Sequence, residues 1–180
     1  MNILSYNIKG VGSGDKRSWV SHSKKAHNIS FICVQESMLA SGSSFLFSQI
    51  WGKGNYDMEW VDAVGKSGGL ISSWDPGLFY KDVVVKDRNF LLVVGKVKGL
   101  AKQVCVVNVY APQDALAKRD LWLKLRDLKY LVDGYWIFIG DFNEVRFPGE
   151  RLNSQFNATT AQRLNDFVND LGLLEYNMSG

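Results

Sequence analysis

The nine residues Tyr135–Asn143, which read YWIFIGDFN, constrain the fold more than any other stretch of this chain. Their four apolar residues at 136–139 are bounded by Gly134 and Gly140, and the run is too short for an independent helix. The pattern therefore predicts a strand that is buried on both faces. Gly140 also permits a close approach of another group to the main chain.

Polar side chains follow this strand directly. Asp141 and Asn143 are two positions apart, and in an extended backbone that spacing points both side chains to the same side. A carboxylate and an amide at the C-terminal end of a buried strand suit a site that binds a phosphate or a metal-bound water, or that transfers a proton. A simple turn is the alternative, because Asp and Asn are both common turn formers.

Length and composition indicate one globular domain. A chain of 180 residues can bury a sizeable core, and 46% hydrophobic residues with only 3 prolines exclude a disordered protein. The formal net charge of +3 permits a polyanionic partner without requiring one. The lysines and arginines are scattered, some of them in short pairs such as Lys16-Arg17, Lys24-Lys25 and Lys118-Arg119, and never build a tail, which favours a solvated surface for most of them.

The two cysteines and the first residues bear on location. Cys33 and Cys105 each lie in an apolar run, which predicts core thiols in a reducing compartment. No signal sequence opens the chain, and no apolar run has the length of a membrane span. We therefore expect an intracellular protein, nuclear or cytoplasmic and not secreted, with no membrane partner.

Apolar periodicity predicts many strands and few helices. Strands are expected at Met1–Ile8, Phe31–Gln35, Met58–Val64, Leu70–Trp74, Phe90–Val97, Gln103–Tyr110 and Trp136–Ile139. Helices are expected at Asp15–His27 with Trp19, Val20 and Ala26 inward, at Ser43–Trp51, from the cap Asp114 to Gly134, and before Gly172. Such a content suggests two packed sheets flanked by helices.

Three of these strands deliver a polar residue at or just past their C-terminal ends. The three residues are Asn7, Glu36 and Asp141. Tyr110 ends a fourth strand, and taken alone it is better explained as a strand-end aromatic residue with a solvated hydroxyl. The repeated pattern predicts a shared site.

Taken together, these motifs resemble those of the exonuclease, endonuclease and phosphatase superfamily. Asn7 in SYNIKG, Glu36 in VQES, Tyr110 in NVYAP and the GDFN of 140–143 stand in that family's order and rough spacing. The chain is most similar to the endonuclease domain that begins plant LINE-type (non-LTR) retrotransposon proteins, through NIKGVG, GKSGGLISSWDP, NVYAP and GDFNEVRFPGER. The resemblance implies an α/β fold, a four-layer α/β/β/α sandwich of two packed mixed sheets, in one domain over residues 1–180.

The resemblance also implies a Mg²⁺-dependent phosphodiesterase that nicks DNA, with Mn²⁺ as a substitute cation and no small-molecule cofactor. Glu36 would be the metal carboxylate, with Asn7 beside it, since Mg²⁺ usually takes one or two carboxylates and keeps several waters. Asp141 would handle the proton of the attacking water or the leaving group. Asn143 would hold the phosphate, and Tyr110 would contribute its hydroxyl.

One departure from the family pattern bears on activity. Family members carry further strands with an Asp and a Ser-Asp-His motif, whereas the histidines of this sequence are His22 and His27, both expected on the surface. The resemblance thus implies a domain that is incomplete at its C-terminus and weak or inactive. Uncovered strand edges would then allow self-association.

Two alternatives to a DNA-nicking enzyme stay open from the sequence. The first is a non-catalytic remnant that binds metal or nucleic acid weakly. The second is a phosphoesterase of the same superfamily acting on another substrate, as inositol-phosphate phosphatases and sphingomyelinases do. The LINE-like loops favour the endonuclease.

Overall fold

A computed structural model of the protein describes residues 1–39, 44–65, 67–150 and 155–176. The chain forms two compact units. The first unit comprises Met1–Tyr110 and Gly134–Asp141, and the second comprises Ala111–Asp133 and Phe142–Gly180. The sequence GKSGG at 65–69 predicts a tight hairpin connection into the strand at Leu70–Trp74, and its Lys66 lies outside the described residues.

One mixed sheet of the first unit has the strand order β1-β2-β4-β3, with β1 and β2 parallel. Its strands are β1 (Asn2–Asn7), β2 (Ile29–Gln35), β3 (Asp57–Val64) and β4 (Ser67–Trp74). Two helices, α1 (Gly14–Ala26) and α2 (Ser44–Trp51), cover one face of this sheet. Val20 of α1 and Ile50 of α2 belong to the same buried cluster as Ile32 and Ile71 of the sheet.

The other mixed sheet has the order β5-β6-β7-β8, with β7 and β8 parallel. Its strands are β5 (Phe79–Lys86), β6 (Phe90–Val97), β7 (Val104–Tyr110) and β8 (Tyr135–Asp141). Phe31 and Trp74 of the first sheet share a buried apolar cluster with Leu91 and Val106 of the second. The predicted α/β class with two packed mixed sheets is confirmed.

Strand β8 differs from its prediction. Its residues are half-buried or exposed, whereas the sequence predicts burial on both faces. Among the described strands β8 pairs with β7 alone, so it lies at an edge of the sheet. Ile137 and Ile139 face the cluster between the sheets, and the rings of Trp136 and Phe138 stack with centroids 5.6 Å apart.

One strand is missing from the sequence predictions, and the assignment of inward residues in α1 is partly wrong. Strand β5 reads FYKDVVVK: the charged residues at 81 and 82 separate the aromatic residues at 79 and 80 from three consecutive valines, so hydrophobic periodicity does not reveal it. In α1, Val20 is buried as predicted, but Trp19 is 50% exposed and Ala26 is also exposed. The Trp19 ring covers Tyr6 of β1 instead, with centroids 4.6 Å apart.

The second unit is built on two helices, α3 (Ala115–Leu131) and α4 (Ala158–Asp170), with a short 3-10 turn at Pro148–Glu150. The Asp114 carboxylate accepts hydrogen bonds from the first backbone N–H groups of α3, as predicted for its cap. Trp122 of α3 packs on the ring of Phe167 of α4, with centroids 5.1 Å apart. No helix within the described ranges is long and apolar enough to span a membrane.

Candidate active site

The inner faces of the two sheets change from apolar to polar toward the C-terminal ends of four strands. Side chains alternate along a strand, so every second residue shares the inner face. These series are Ile3, Ser5 and Asn7 in β1; Phe31, Cys33 and Gln35 in β2; Val106, Asn108 and Tyr110 in β7; Ile137, Ile139 and Asp141 in β8. Because β1 runs parallel to β2 and β7 runs parallel to β8, polar ends gather within each sheet.

Four of the five predicted site residues meet in one hydrogen-bonded cluster. The Asn7 side-chain amide donates to Glu36 Oε1 at 3.0 Å and to Asp141 Oδ2 at 2.7 Å. The Tyr110 hydroxyl donates to the same Glu36 Oε1 at 2.8 Å. An Asn amide nitrogen carries two hydrogens, so Asn7 can serve both carboxylates at once. We call Asn7, Glu36, Tyr110 and Asp141 the carboxylate cluster.

Glu36 stands in a segment that is held by backbone hydrogen bonds from both sides. Glu36 O accepts from Gly10 N at 2.7 Å, and Ser37 N donates to Gly69 O at 3.0 Å. Glu36 itself has a φ of 52°, a left-handed conformation that is uncommon for a residue with a Cβ. Such strain persists only where the surroundings determine it, as these two flanking segments do here.

Gly69 is the residue that lets the Glu36 segment lie so close to β4. Its φ is 85°, and a Cβ at this position would lie within 2.4 Å of Ser37 Oγ. Only glycine satisfies both conditions. Strands β3 and β4 pair as antiparallel neighbours, and the carbonyl oxygens of Gly68 and Gly69 at the start of β4 also support the segment that follows Glu36.

Asp141 is fixed by the parallel pairing of β8 with β7. It is opposite Tyr110 in the register of the two strands. Gly140 has a φ of 137°, and a Cβ there would lie 2.1 Å from the carbonyl oxygen of Val109. The close approach that the sequence predicts at Gly140 is therefore made by the backbone of β7.

The surroundings of Tyr110 keep its hydroxyl protonated. Burial raises the pKa of Tyr110, and the hydrogen bond to Glu36 and the charges of Glu36 and Asp141 raise it further, to about 12. The hydroxyl therefore stays a hydrogen-bond donor at neutral pH.

The donor set of the carboxylate cluster fits a hard divalent cation. Glu36 and Asp141 supply two carboxylates joined through one amide, which is the number that Mg²⁺ usually takes while keeping waters and substrate oxygens. Among the described residues, no group of three or more His, Cys, Asp and Glu side chains is placed to hold a metal. The Asn7 amide presents its nitrogen to the carboxylates, so contact of its oxygen with a metal would need the amide to turn over.

Asn143, the fifth predicted residue, lies in the second unit. Its φ is 48°, so the backbone is not extended there and the alternation expected from the Asp141–Asn143 spacing does not continue to it. Its side chain accepts from Gln113 Nε2 at 2.6 Å and donates to the carbonyl oxygen of Ala111 at 2.7 Å. Its carbonyl oxygen accepts from Lys118 Nζ at 2.6 Å.

Lys118 is a buried cation that the sequence reading missed. Its side chain is 6% exposed and forms an ion pair at 2.9 Å with Glu144, whose side chain is 3% exposed. Burial raises the pKa of Glu144, but hydrogen bonds from Lys118 and Thr160 and the charge of Lys118 outweigh burial and hold it below its usual value. Lysine is rarely buried without a partner, and the carboxylate of Glu144 supplies one here.

The histidines and cysteines lie where the sequence places them. His22 and His27 are both exposed, on α1 and directly after it. Cys33 and Cys105 are free and buried, and burial raises the pKa of Cys33 to about 12. Neither residue type supplies a group to the carboxylate cluster.

Sequence reasoning also missed residues that support the cluster from below and beside it. Gln35 and Asn108 form a buried layer under it, and Lys16 ties down the loop after β1 by donating to the carbonyl oxygens of Ile8 and Lys9 at 2.7 and 2.8 Å. A signal for the buried pair exists, because each amide lies within two residues of a motif residue and on an inward position. Lys16 gave no such signal, because it stands beside Arg17 in a charged pair, and such pairs are predicted to lie on a solvated surface.

No protein-family model matches the sequence. Among solved structures, the AP endonuclease LMAP from Leishmania major superimposes with a TM-score of 0.72 at 10% identity, covering 94% of this chain and 66% of that one. An AP endonuclease from Archaeoglobus fulgidus gives a TM-score of 0.68 at 19% identity, with 94% and 70% covered. The endonuclease domain of TRAS1, a telomere-specific non-LTR retrotransposon, gives 0.65 at 12% identity, with 94% and 71% covered.

These likenesses concern the fold, because the identities are low. The chain spans about two thirds of the length of the solved endonucleases that it matches. Its two mixed sheets and its helices have the α/β fold of AP endonucleases and of a non-LTR retrotransposon endonuclease domain.

Proposed function

We propose that the carboxylate cluster is the active site of a Mg²⁺-dependent phosphodiesterase that nicks DNA, of the kind encoded by LINE-type retrotransposons of plants. One observation carries the proposal. Two carboxylates from different sheets, Glu36 and Asp141, share the Asn7 amide, and Tyr110 donates to one of them. The fold shared with AP endonucleases and the TRAS1 endonuclease domain supports the same class of chemistry.

The residues of the chain have separable tasks in this reaction. A divalent cation held by Glu36 would, when bound, neutralise charge on the phosphoryl group and the leaving oxygen. Asp141 accepts or returns the proton of the attacking water or the leaving group. Tyr110 donates its hydroxyl hydrogen to oxygen atoms that gain negative charge, because its raised pKa keeps it protonated. Asn143 is assigned the contact with the phosphate, on the resemblance of the GDFN motif alone.

Nicking of supercoiled plasmid tests this proposal directly. We expect Mg²⁺-dependent conversion to the open circle, which EDTA abolishes and which Glu36→Gln and Asp141→Asn each reduce. Asp120→Asn, which neutralises an exposed carboxylate of α3, is the matched control and leaves the rate unchanged. Equal rates for wild type, Glu36→Gln and Asp141→Asn would refute the assignment.

Metal binding gives a second test that needs no turnover. Titration with Mn²⁺ should broaden the NMR signals of Asn7, Glu36 and Asp141 by paramagnetic relaxation. Glu36→Gln should weaken this broadening. Unchanged broadening in that variant would place the cation elsewhere.

A non-catalytic remnant is the second candidate, and one observation favours it. Both histidines are exposed on or beside α1, so no imidazole of this chain takes part in the carboxylate cluster among the described residues. Such a remnant would show the Mn²⁺ broadening described above and no nicking.

A further inference from the structure

A buried polar layer separates the carboxylate cluster from the apolar core between the sheets. Asn108 of β7 is fully buried, and Gln35 of β2 is 1% exposed. Gln35 Nε2 donates to Asn108 Oδ1 at 2.6 Å, which links the two sheets directly. We call Gln35 and Asn108 the amide pair.

The amide pair is saturated with hydrogen bonds. Asn108 Nδ2 donates to the carbonyl oxygens of Ile71 at 2.9 Å and Val34 at 3.2 Å, both in the opposite sheet. Gln35 Nε2 also approaches Ser5 Oγ at 3.2 Å. Buried amides without partners destabilise a fold, so their complete pairing defines one arrangement of the two sheets.

The amide pair lies next to the cluster in the sequence and on the same inner face. Gln35 directly precedes Glu36, and Asn108 lies two residues before Tyr110 in the same strand. A shift of one sheet against the other at the amide pair would therefore move Glu36 and Tyr110 by a similar distance.

The bonds of the carboxylate cluster depend on how the sheets are placed. Asn7 ends β1 and Glu36 directly follows β2, and both strands belong to the first sheet. Tyr110 and Asp141 end strands of the second sheet. The Asn7–Asp141 and Tyr110–Glu36 hydrogen bonds therefore both cross the gap between the sheets. Apolar packing below this level is non-directional, while hydrogen bonds fix both distance and angle.

We propose that Gln35 and Asn108 are positioning residues whose amide pair sets the relative placement of the two sheets at which the carboxylate cluster forms. They touch neither metal nor substrate. The proposal rests on the proposed function for the chemistry that the cluster performs, but the placement itself is a property of the metal-free chain. Removing the pair while keeping its volume should loosen the cluster without unfolding the protein.

The test compares the wild type with Gln35→Met/Asn108→Leu. Both replacements are apolar and close in volume, and replacing both partners avoids leaving one buried amide unpaired. Ser72→Ala is the matched control, because it removes a 3.4 Å contact of Asn108 in the same layer and leaves the amide pair intact. Gln35→Met alone is the second variant and serves if the double variant does not fold: it removes the bond to Asn108 Oδ1, leaving that one acceptor unpaired, and keeps both bonds of Asn108 Nδ2.

The first readout is the side-chain amide signal of Asn7 in ¹⁵N-labelled, metal-free protein. We expect the variant's Asn7 signals to move toward those of Asn7 in Glu36→Gln/Asp141→Asn, and its amide hydrogens to exchange faster. The urea midpoint should stay near that of the wild type. Ser72→Ala should leave the Asn7 signals in place.

The second readout is the dissociation constant for Mn²⁺. We expect it to rise about tenfold or more in Gln35→Met/Asn108→Leu, the range typical for residues that support metal ligands. A folded variant with unmoved Asn7 signals and wild-type Mn²⁺ affinity overturns the positioning role. If the wild type binds no Mn²⁺ and the Asn7 signals nevertheless move as expected in the double variant, the proposed metal site is refuted and the positioning role is supported.

Discussion

Asn7 Nδ2 donates to Asp141 Oδ2 at 2.7 Å although 134 residues separate the two in the sequence. This bond joins the last residue of β1 to the last residue of β8, and the same amide nitrogen binds Glu36. Asn7 therefore holds together two carboxylates that would otherwise repel each other. The amide can do this because it carries two hydrogens and no negative charge of its own.

We expect Asn7→Asp to destabilise the protein at neutral pH. The new carboxylate would face two others, and like charges raise the pKa of a carboxyl group. A raised carboxyl pKa in the folded state means that stability is lost as pH rises through it, so the deficit against wild type should shrink below about pH 4. Urea midpoints measured at pH 7 and pH 3.5 test this, and millimolar Mg²⁺ should narrow the deficit at pH 7.

Asn7→Ala is the control for that experiment. It removes the two hydrogen bonds without adding a charge, so its deficit should depend much less on pH. An Asn7→Asp deficit that is equally large at both pH values would contradict the electrostatic account.

Gly69→Ala should destabilise the first unit and weaken Mn²⁺ binding. The left-handed backbone alone costs about 1–3 kcal/mol for a residue with a Cβ. The Cβ would in addition collide with Ser37 Oγ, which lies 2.4 Å from its position, and push the Glu36 segment away. Urea unfolding and Mn²⁺ titration measure the two effects.

Gly68→Ala separates strain from collision. Gly68 has a similar φ of 80°, but beyond its chain neighbours no atom of the described residues lies within 4 Å of its Cβ position. We expect Gly68→Ala to lower the free energy of unfolding through a similar backbone strain and to leave the Mn²⁺ affinity close to that of the wild type. Equal losses of Mn²⁺ affinity in both variants would show that Ser37 is not the critical contact.

Lys118→Met should strongly destabilise the second unit. It leaves Glu144 as a buried charge without its cation, and breaking such a pair typically costs about 3–5 kcal/mol. The double variant Lys118→Met/Glu144→Gln removes both charges and should recover much of the loss in urea unfolding. A double variant less stable than Lys118→Met would argue against the ion pair.

The same ion pair predicts a pH dependence. The pKa of Glu144 is lowered in the folded protein, so its contribution is present above the unfolded pKa of about 4.3 and is lost as pH falls through the lower folded pKa. The stability difference between wild type and Lys118→Met should therefore shrink in acid. A difference that grows as pH falls below about 4 would contradict this sign.

Nicking by the 180-residue chain should be very slow. The carboxylate cluster contains no histidine, since both histidines are exposed at α1, and a general acid–base group typically contributes about 10²–10⁴-fold. Appending a family-like segment with Ser-Asp-His should raise the rate, and Asp141→Asn in that longer protein should lower it again. Efficient nicking by the unextended chain that survives His22→Ala and His27→Ala would refute this reasoning.

Local sequence patterns predict most of the strands, most of their bounds and the polar residues at their ends. Alternation and apolar runs are local properties, so β1, β2, β6, β7 and the capped helix α3 follow from the residues alone. The motifs around Asn7, Glu36, Tyr110 and Asp141 single out the residues that meet. Strand β5 escaped because its charged residues hide the period, and its pairing with β6 forms it instead.

How those residues meet depends on the packing of the whole chain. The pairing order of the strands brings Asn7 to Asp141, and hydrogen bonds across the sheets make Glu36 the acceptor for both Asn7 and Tyr110. The burial of Lys118 could not be predicted from the sequence, because a polar residue is buried only when distant groups satisfy it. For Gln35 the sequence indicates an inward position but not its partner Asn108. Such partners are set by chain packing, and no local pattern in the sequence encodes their distance.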